Sequence, residues 1–246
     1  MARTILVFGA TSQIAKAAMR VWATRQQCSF VLVARNKESL APLAADLMAR
    51  GAKEVASYGL DFAHYASHEA FVRELFDAHP ISTTLLCHGA LGEQKEDEKS
   101  VAASLEIIGV NYLSYVSLLT PIANLFAEKK MGEIVVVGSV AGDRGRQSNY
   151  IYGSAKGAMG LFAGGLRNRL QGCGVSLLLV KPGFVDTPMT AHVPKNFLFA
   201  RPEAIGARLV KALDKKCDVV YLPFFWFFIM QVIKAIPEAV FKRLKL

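Results

Sequence analysis

Six short, almost uninterrupted apolar runs constrain this chain more than any other feature: "TILVFG", "FVLVAR", "TTLLCHG", "EIVVVGS", "VSLLLVKPG" and "DVVYLP". Each is rich in β-branched residues and too short for a buried helix, so each predicts a strand. Segments with apolar residues at helical spacing separate them, among them "IAKAAMRVWATR", "ESLAPLAADLMAR" and "ASHEAFVRELFDAH". Strands apolar on both faces, alternating with helices, predict a parallel sheet covered on both sides: a doubly wound α/β fold. Such sheets bind ligands beyond the carboxyl ends of their strands, so the residues just after each run carry the functional expectation.

A length of 246 residues suits one large α/β domain. No linker, repeat or low-complexity stretch divides it. The expected layout is one domain over 1–222 and an apolar, basic C-terminal extension over 223–246. The first run leads straight into a glycine turn with no small-residue cleavage site, which predicts a strand rather than a signal peptide. Cys28, Cys87, Cys173 and Cys217 are scattered without a CxxC pair. That predicts free thiols in a reducing cytoplasm. The net charge of +9 is concentrated at the ends. Residues 1–37 carry six basic side chains and no acid, residues 234–246 carry an excess of three, and the stretch between is balanced. Both ends are candidates for meeting anions. Neither carries an aromatic–basic motif or a recognition helix, so nucleic acid is not an expected partner.

After the first run comes "GATSQIA", Gly9 to Ala15. A glycine turn feeding a helix offers free backbone N–H groups and the positive end of a helix dipole, which suits a pyrophosphate. An ordinary strand-to-helix turn can look the same, but this one follows the first strand, where a dinucleotide would sit. The second run ends in Ala34 and Arg35, with no acid before Glu38. A carboxylate there would favour NAD, whereas an arginine fork suits a 2′-phosphate. The expected cofactor is NADP(H), although a solvated surface arginine would read alike.

"VVVGSVAG" places Ser139 just past a strand end, and "YGSAKGA" places Tyr152 and Lys156 one helical turn apart on one face. "GVNYLSY" sets Asn111 within a long helical segment. On these residues the chain resembles the short-chain dehydrogenase/reductase family over roughly residues 3–222. Three places depart from the family's usual pattern: Gln13 and Ala15 replace two glycines of the turn, and "CHGA" at 87–90 stands where Asn-Asn-Ala-Gly is usual.

The resemblance implies a Rossmann-type fold and a tetrad of Asn111, Ser139, Tyr152 and Lys156. It also implies an NADP(H) site formed by Gly9, Thr11, Ser12, Gln13, Ile14, Arg35, Asp61, Gly89, Lys156, Pro182, Gly183, Val185 and Thr187. In that site Asp61 would bond the adenine and Thr187 the nicotinamide carboxamide. His88 is expected to be structural and Gly89 to allow close approach. Chemically, a phenol with pKa about 10 needs roughly 4 kcal/mol to reach neutrality. A cation about 4 Å away at an effective dielectric near 20 supplies about that much. Tyr152, aided by Lys156, would exchange a proton with the substrate oxygen, Ser139 would hold that oxygen, and Asn111 would anchor a relay water. Hydride passes directly between nicotinamide and carbon, so no metal is expected.

The loop 187–200 carries Met189, Val193, Phe197, Leu198 and Phe199 and is expected to act as a lid. Arg144 and Arg146 are candidates to hold an anionic substrate group, or to pair with Asp143 or a second subunit. The uncharged run from Val219 to Ile233 spans 15 residues. A helix over 224–236 would be about 20 Å long, too short for a hydrocarbon core of about 30 Å. With Gln231, Lys234, Glu238, Lys242 and Lys245 as one polar stripe, it reads as an interfacial membrane helix on the cytoplasmic face. A subunit interface or a cover over the pocket are the alternatives. The tail and "AGDRGRQSNYIYGSAK" also resemble a subgroup reducing keto-sugars on a polyprenyl phosphate, which implies a hydrophobic or lipid-linked carbonyl substrate. A homodimer is the oligomer the resemblance implies. A catalytically silent NADP-binding sensor or scaffold of the same fold is the competing function.

Overall fold

The computed structural model describes residues 3–25 and 27–244. The six apolar runs and a seventh strand, β3, form one all-parallel sheet: β1 (Thr4–Phe8), β2 (Ser29–Ala34), β3 (Glu54–Gly59), β4 (Thr83–Leu86), β5 (Gly132–Val137), β6 (Val175–Pro182) and β7 (Val219–Leu222). Their order is β3-β2-β1-β4-β5-β6-β7. Ile5 sits opposite Phe30 on one side and Thr83 on the other, so β1 is central. The order reverses between β1 and β4, where a doubly wound sheet opens its ligand crevice.

Helices α1 (Gln13–Arg25) and α2 (Ala41–Ala49) pack on one face, and α3 (His68–Ala78) on the other. Next come the short α4 (Gln94–Asp97), α5 (Val101–Ile108) and, after a π turn at Gly109–Leu113, α6 (Ser114–Lys129). Then follow α7 (Tyr150–Leu170) and α8 (Pro202–Asp214). α8 joins the first face, burying Ile205, Leu209 and Leu213 with the α1 alanines. α6 and α7 join the second, with Leu118, Ile122, Phe126, Met159 and Ala163 against alternate strand residues. Each such side chain contributes about 1.5–3 kcal/mol on burial. The run Val101–Lys129 is long and apolar enough to cross a bilayer by those measures, but α6 is a core helix.

The tail forms α9 (Phe225–Ala235) and α10 (Glu238–Phe241). The expected helix over 224–236 is thus found, one residue shorter at each end. Ile236 turns extended, with ψ 124°, and Pro237 opens α10. This bend breaks the expected single polar stripe, whose last member, Lys245, lies outside the described residues. Trp226 and Met230 are buried against Val140, with Phe184, Leu198, Tyr221, Ile229 and Ile233 around them. The tail therefore covers the carboxyl edge of the sheet near β6.

Candidate active site

Because all strands are parallel, Gly9, Arg35, Asp61, Gly89, Ser139 and Gly183 come to one edge of the sheet. Ser139 follows β5 in extended conformation and caps a 3-10 turn at Val140–Asp143, its Oγ accepting from the Ala141 N–H at 3.1 Å. Tyr152 and Lys156 share a face of α7, with the Lys156 Nζ 5.9 Å from the Tyr152 ring centre. Lys156 is buried and donates to the Val137 carbonyl at 3.3 Å. Its ammonium also lies 4.8 Å from the centre of the Tyr115 ring. Asn111 sits in the π turn, a local widening that often marks functional positions. Its Nδ2 donates to Ala90 O at 2.7 Å and Ile107 O at 2.9 Å, while Oδ1 is buried without a partner. A Cβ on residue 89 would lie 2.6 Å from that Oδ1 and 3.7 Å from the Lys156 Nζ. Gly89 is therefore needed to seat Asn111 beside Lys156, in addition to any close approach by a ligand.

Burial dominates the electrostatics. The Tyr152 phenol is pushed up to about 12 by desolvation, with a hydrogen bond from the Ser139 side chain opposing the shift. Desolvation also lowers Lys156 to about 8. In the polypeptide alone Tyr152 is thus held neutral, as a proton donor. The simple pairing of one phenol with one cation, expected to lower Tyr152 toward neutrality, is outweighed by burial of both groups. An oxidised nicotinamide, when bound, would bring a positive charge that favours the phenolate.

At the other end of the crevice, Gly9 adopts φ +76°, and a Cβ there would meet the His88 backbone at 2.6 Å. Thr11 is exposed, Ser12, Gln13 and Ile14 are half-buried, and α1 carries no acid in its first turn. Ala15 is fully buried in the core, as its replacement of a glycine requires. The Ser12 Oγ lies 3.1 Å from the Cys87 Sγ, and burial pushes that thiol's pKa up. Arg35 is exposed beyond β2 and makes no ion pair among the described residues. Asp61 is exposed after β3, its Oδ1 accepting from the Ala63 N–H at 2.9 Å. This edge offers free N–H groups, a helix N-terminus and an unopposed arginine, and it fits a phosphorylated dinucleotide.

On the opposite side, Pro182 ends β6 and the Gly183 N–H donates to Leu222 O at 3.0 Å. A Cβ at 183 would collide with the Trp226 indole, so the glycine admits the tail against the strand end. Val185 is buried and bridges to Ala200, closing the loop that starts at Thr187. Arg144 does not face the crevice. It donates to Ile233 O at 2.6 Å and Ile236 O at 2.7 Å, pairs with Glu238 at 2.8 Å and stacks on Phe241. It caps the carboxyl end of α9, so neither a substrate anion nor Asp143 is its partner.

Sequence reasoning offered Asp143 only as a partner for the loop arginines and missed what this buried carboxylate binds. It binds the Lys181 Nζ at 2.5 Å and the Tyr221 hydroxyl at 2.7 Å, tying the Ser139 turn to β6 and β7. A lone acid four residues after Ser139 was the available signal. Trp226 was also missed, because its partner glycine lies far back in the chain.

Residues 3–197 match the short chain dehydrogenase family. The chain is 37% identical over 244 residues to an uncharacterized oxidoreductase of Mycobacterium tuberculosis, covering 99% of this chain and 97% of the other. It is 31% identical over 242 residues to an uncharacterized oxidoreductase of Streptomyces coelicolor, at coverages of 98% and 96%. A short chain dehydrogenase from Burkholderia cenocepacia, solved in complex with NADP, has the same fold with a TM-score of 0.83 at 19% identity, covering 100% and 98% of the two chains. One from Sphingobium yanoikuyae, in complex with NADPH, gives 0.79 at 22% identity and coverages of 96% and 97%. Matched over most of its length, and related almost end to end to two oxidoreductases, the chain belongs to the short-chain dehydrogenase family.

Proposed function

We propose that this protein is an NADP-dependent oxidoreductase that interconverts a hydrophobic carbonyl compound and its alcohol. The observation that carries the reading is the half-buried Tyr152 sharing a face of α7 with the buried Lys156, set between Ser139 and Asn111 at the sheet edge. NADP(H), when bound, would supply or accept the hydride. Gly9, Thr11, Ser12, Gln13 and Ile14 would hold its pyrophosphate, Arg35 its 2′-phosphate and Asp61 its adenine. Gly89, Lys156, Pro182, Gly183, Val185 and Thr187 would complete the site. Tyr152 donates its proton to the carbonyl oxygen, Ser139 orients that oxygen, and Lys156 stabilises the phenolate left behind. Asn111 anchors the relay that restores the proton.

The apolar substrate class rests on the apolar cluster of Val140, Phe184, Leu198 and Trp226 packed next to the Ser139 turn. A lipid-linked sugar phosphate is the weaker version, because Arg144 is committed to α9. We place the chain in the cytoplasm as a homodimer whose catalytic unit is 1–222, with 223–246 turned toward a membrane surface. Among the described residues all four cysteines are free, in keeping with a reducing compartment. A silent sensor is disfavoured, since a sensor has no use for an ammonium buried beside a phenol against the desolvation that burial imposes.

Assays of NADPH oxidation with a panel of aliphatic and aromatic ketones test this. Tyr152→Phe should keep NADPH binding and lose at least about 100-fold in turnover. Arg35→Ala should erode the preference for NADPH over NADH by about 10-fold or more. A fully active Tyr152→Phe enzyme would overturn the mechanism, and an unchanged cofactor ratio the role of Arg35.

A further inference from the structure

The tail helix has two apolar faces, and only one is used. Trp226, Met230 and Ile233 point inward, one turn apart, and pack on Val140. Phe224, Phe228 and Val232, also one turn apart, are 63%, 58% and 66% exposed, with Phe225 and Phe227 beside them. Phe197 is exposed as well, on the loop whose next residue, Leu198, packs against the same tail cluster. Lys234, Lys242 and Arg243 are exposed on the same segment. Its one acid, Glu238, is taken up by Arg144, and Lys234, Lys242 and Arg243 make no ion pair among the described residues.

We infer that this face docks on an anionic membrane surface, lying in the interface without crossing it; the inference rests on the proposed reading of residues 223–246. An 11-residue helix is about 16 Å long and cannot span. Aromatic side chains flanked by cations match the acyl boundary and the anionic headgroups in turn. Two copies pairing through this face would bring like charges together, which disfavours a second chain as its occupant. Trp226 and Arg144 already hold α9 in place, so docking requires little further ordering. The inner face made by the same contacts lies against Gly183 and Leu198, so the exposed face is held outward beside the carboxyl edge of the sheet.

The test is flotation of the full-length protein, with NADPH, on vesicles of phosphatidylcholine mixed with phosphatidylglycerol and on phosphatidylcholine alone. The wild type should float on the mixed vesicles. Lys234→Gln/Lys242→Gln/Arg243→Gln should lose the preference for them, at roughly 5-fold per charge. Phe224→Ser/Phe228→Ser/Val232→Ser should bind at least about 100-fold more weakly. That variant should still turn over a water-soluble ketone at the wild-type rate. Wild-type protein that floats on neither vesicle, or a serine variant that floats equally well, overturns the inference. So does a wild-type oligomer that the serine variant alone dissociates, because a second copy then covers the face. Turnover is read separately, so a protein that floats without reducing any ketone defeats the proposed chemistry and leaves the docking face standing.

Discussion

His88 shows how far single-residue chemistry can be followed. Its ring is stacked between Phe62 and Tyr115, with centroids 4.2 Å away on each side. The Ser114 hydroxyl donates to Val110 O at 2.8 Å, so its one hydrogen is used. The His88 Nε2, 2.8 Å from that oxygen, must then be the donor, which leaves Nδ1 buried as a bare acceptor. The hydrogen-bonded line from His88 through Ser114 to Val110 fastens the π turn that presents Asn111. Burial, with the Lys156 and His68 charges adding to it, holds the His88 pKa well below its ordinary 6.5. The unfolded chain therefore binds a proton that the folded one refuses. Stability from this group is complete above about 6.5 and falls as the pH drops below it. Denaturant titrations between neutral pH and pH 5 should show stability declining by up to about 1.4 kcal/mol per pH unit for each such histidine. His68, shifted the same way by burial, contributes a second share. His88→Asn should remove one share of that slope. An unchanged slope would assign the whole effect to other groups.

Among the elements, α9 is the one whose role changed most between sequence and fold. Its inner face packs on Val140, Phe184 and Tyr221 at the sheet edge, and Arg144 satisfies carbonyls that the end of a helix leaves unpaired. Trp226→Ala opens a void beside Gly183 and should cost about 3–5 kcal/mol, read by chemical denaturation. On the proposed apolar-substrate reading it should also raise KM for bulky ketones more than it alters NADPH affinity. Wild-type stability in this variant would mean that the tail does not pack as described. Ending the chain at Pro223 strips the cover from Val140, Phe184 and Tyr221, so truncation is a blunter probe than substitutions on the outer face of α9.

For the whole molecule, the outer surface of α5, α6 and α7 matters most. Val101, Leu105, Leu113 and Leu161 are exposed there, Leu161 by 82%. An apolar patch on the helices that present Asn111 and Tyr152 is the surface expected to pair two subunits. Leu105→Glu/Leu161→Glu should give a monomer by analytical ultracentrifugation. A variant that still sediments as the wild type would move the interface elsewhere.

Spacing along the chain was enough to read the fold and to bring Tyr152 and Lys156 together, while the catalytic roles of the four candidate residues are a proposal. Apolar runs specify strands buried on both faces, and a four-residue interval puts Tyr152 and Lys156 on one side of a helix whatever surrounds it. β3 escaped the list of apolar runs because it is an edge strand with half-exposed residues, and an edge needs no continuous apolar sequence. The pKa values were also out of reach, since they depend on desolvation from all directions. The partners of Arg144 lie 89 to 94 residues away, and Gly183 meets an indole from a helix folded back over the sheet edge. Local periodicity is a property of a few consecutive residues and can be read from sequence. Which distant segment returns to cover a strand end depends on packing the whole chain, and only the tertiary structure decided it.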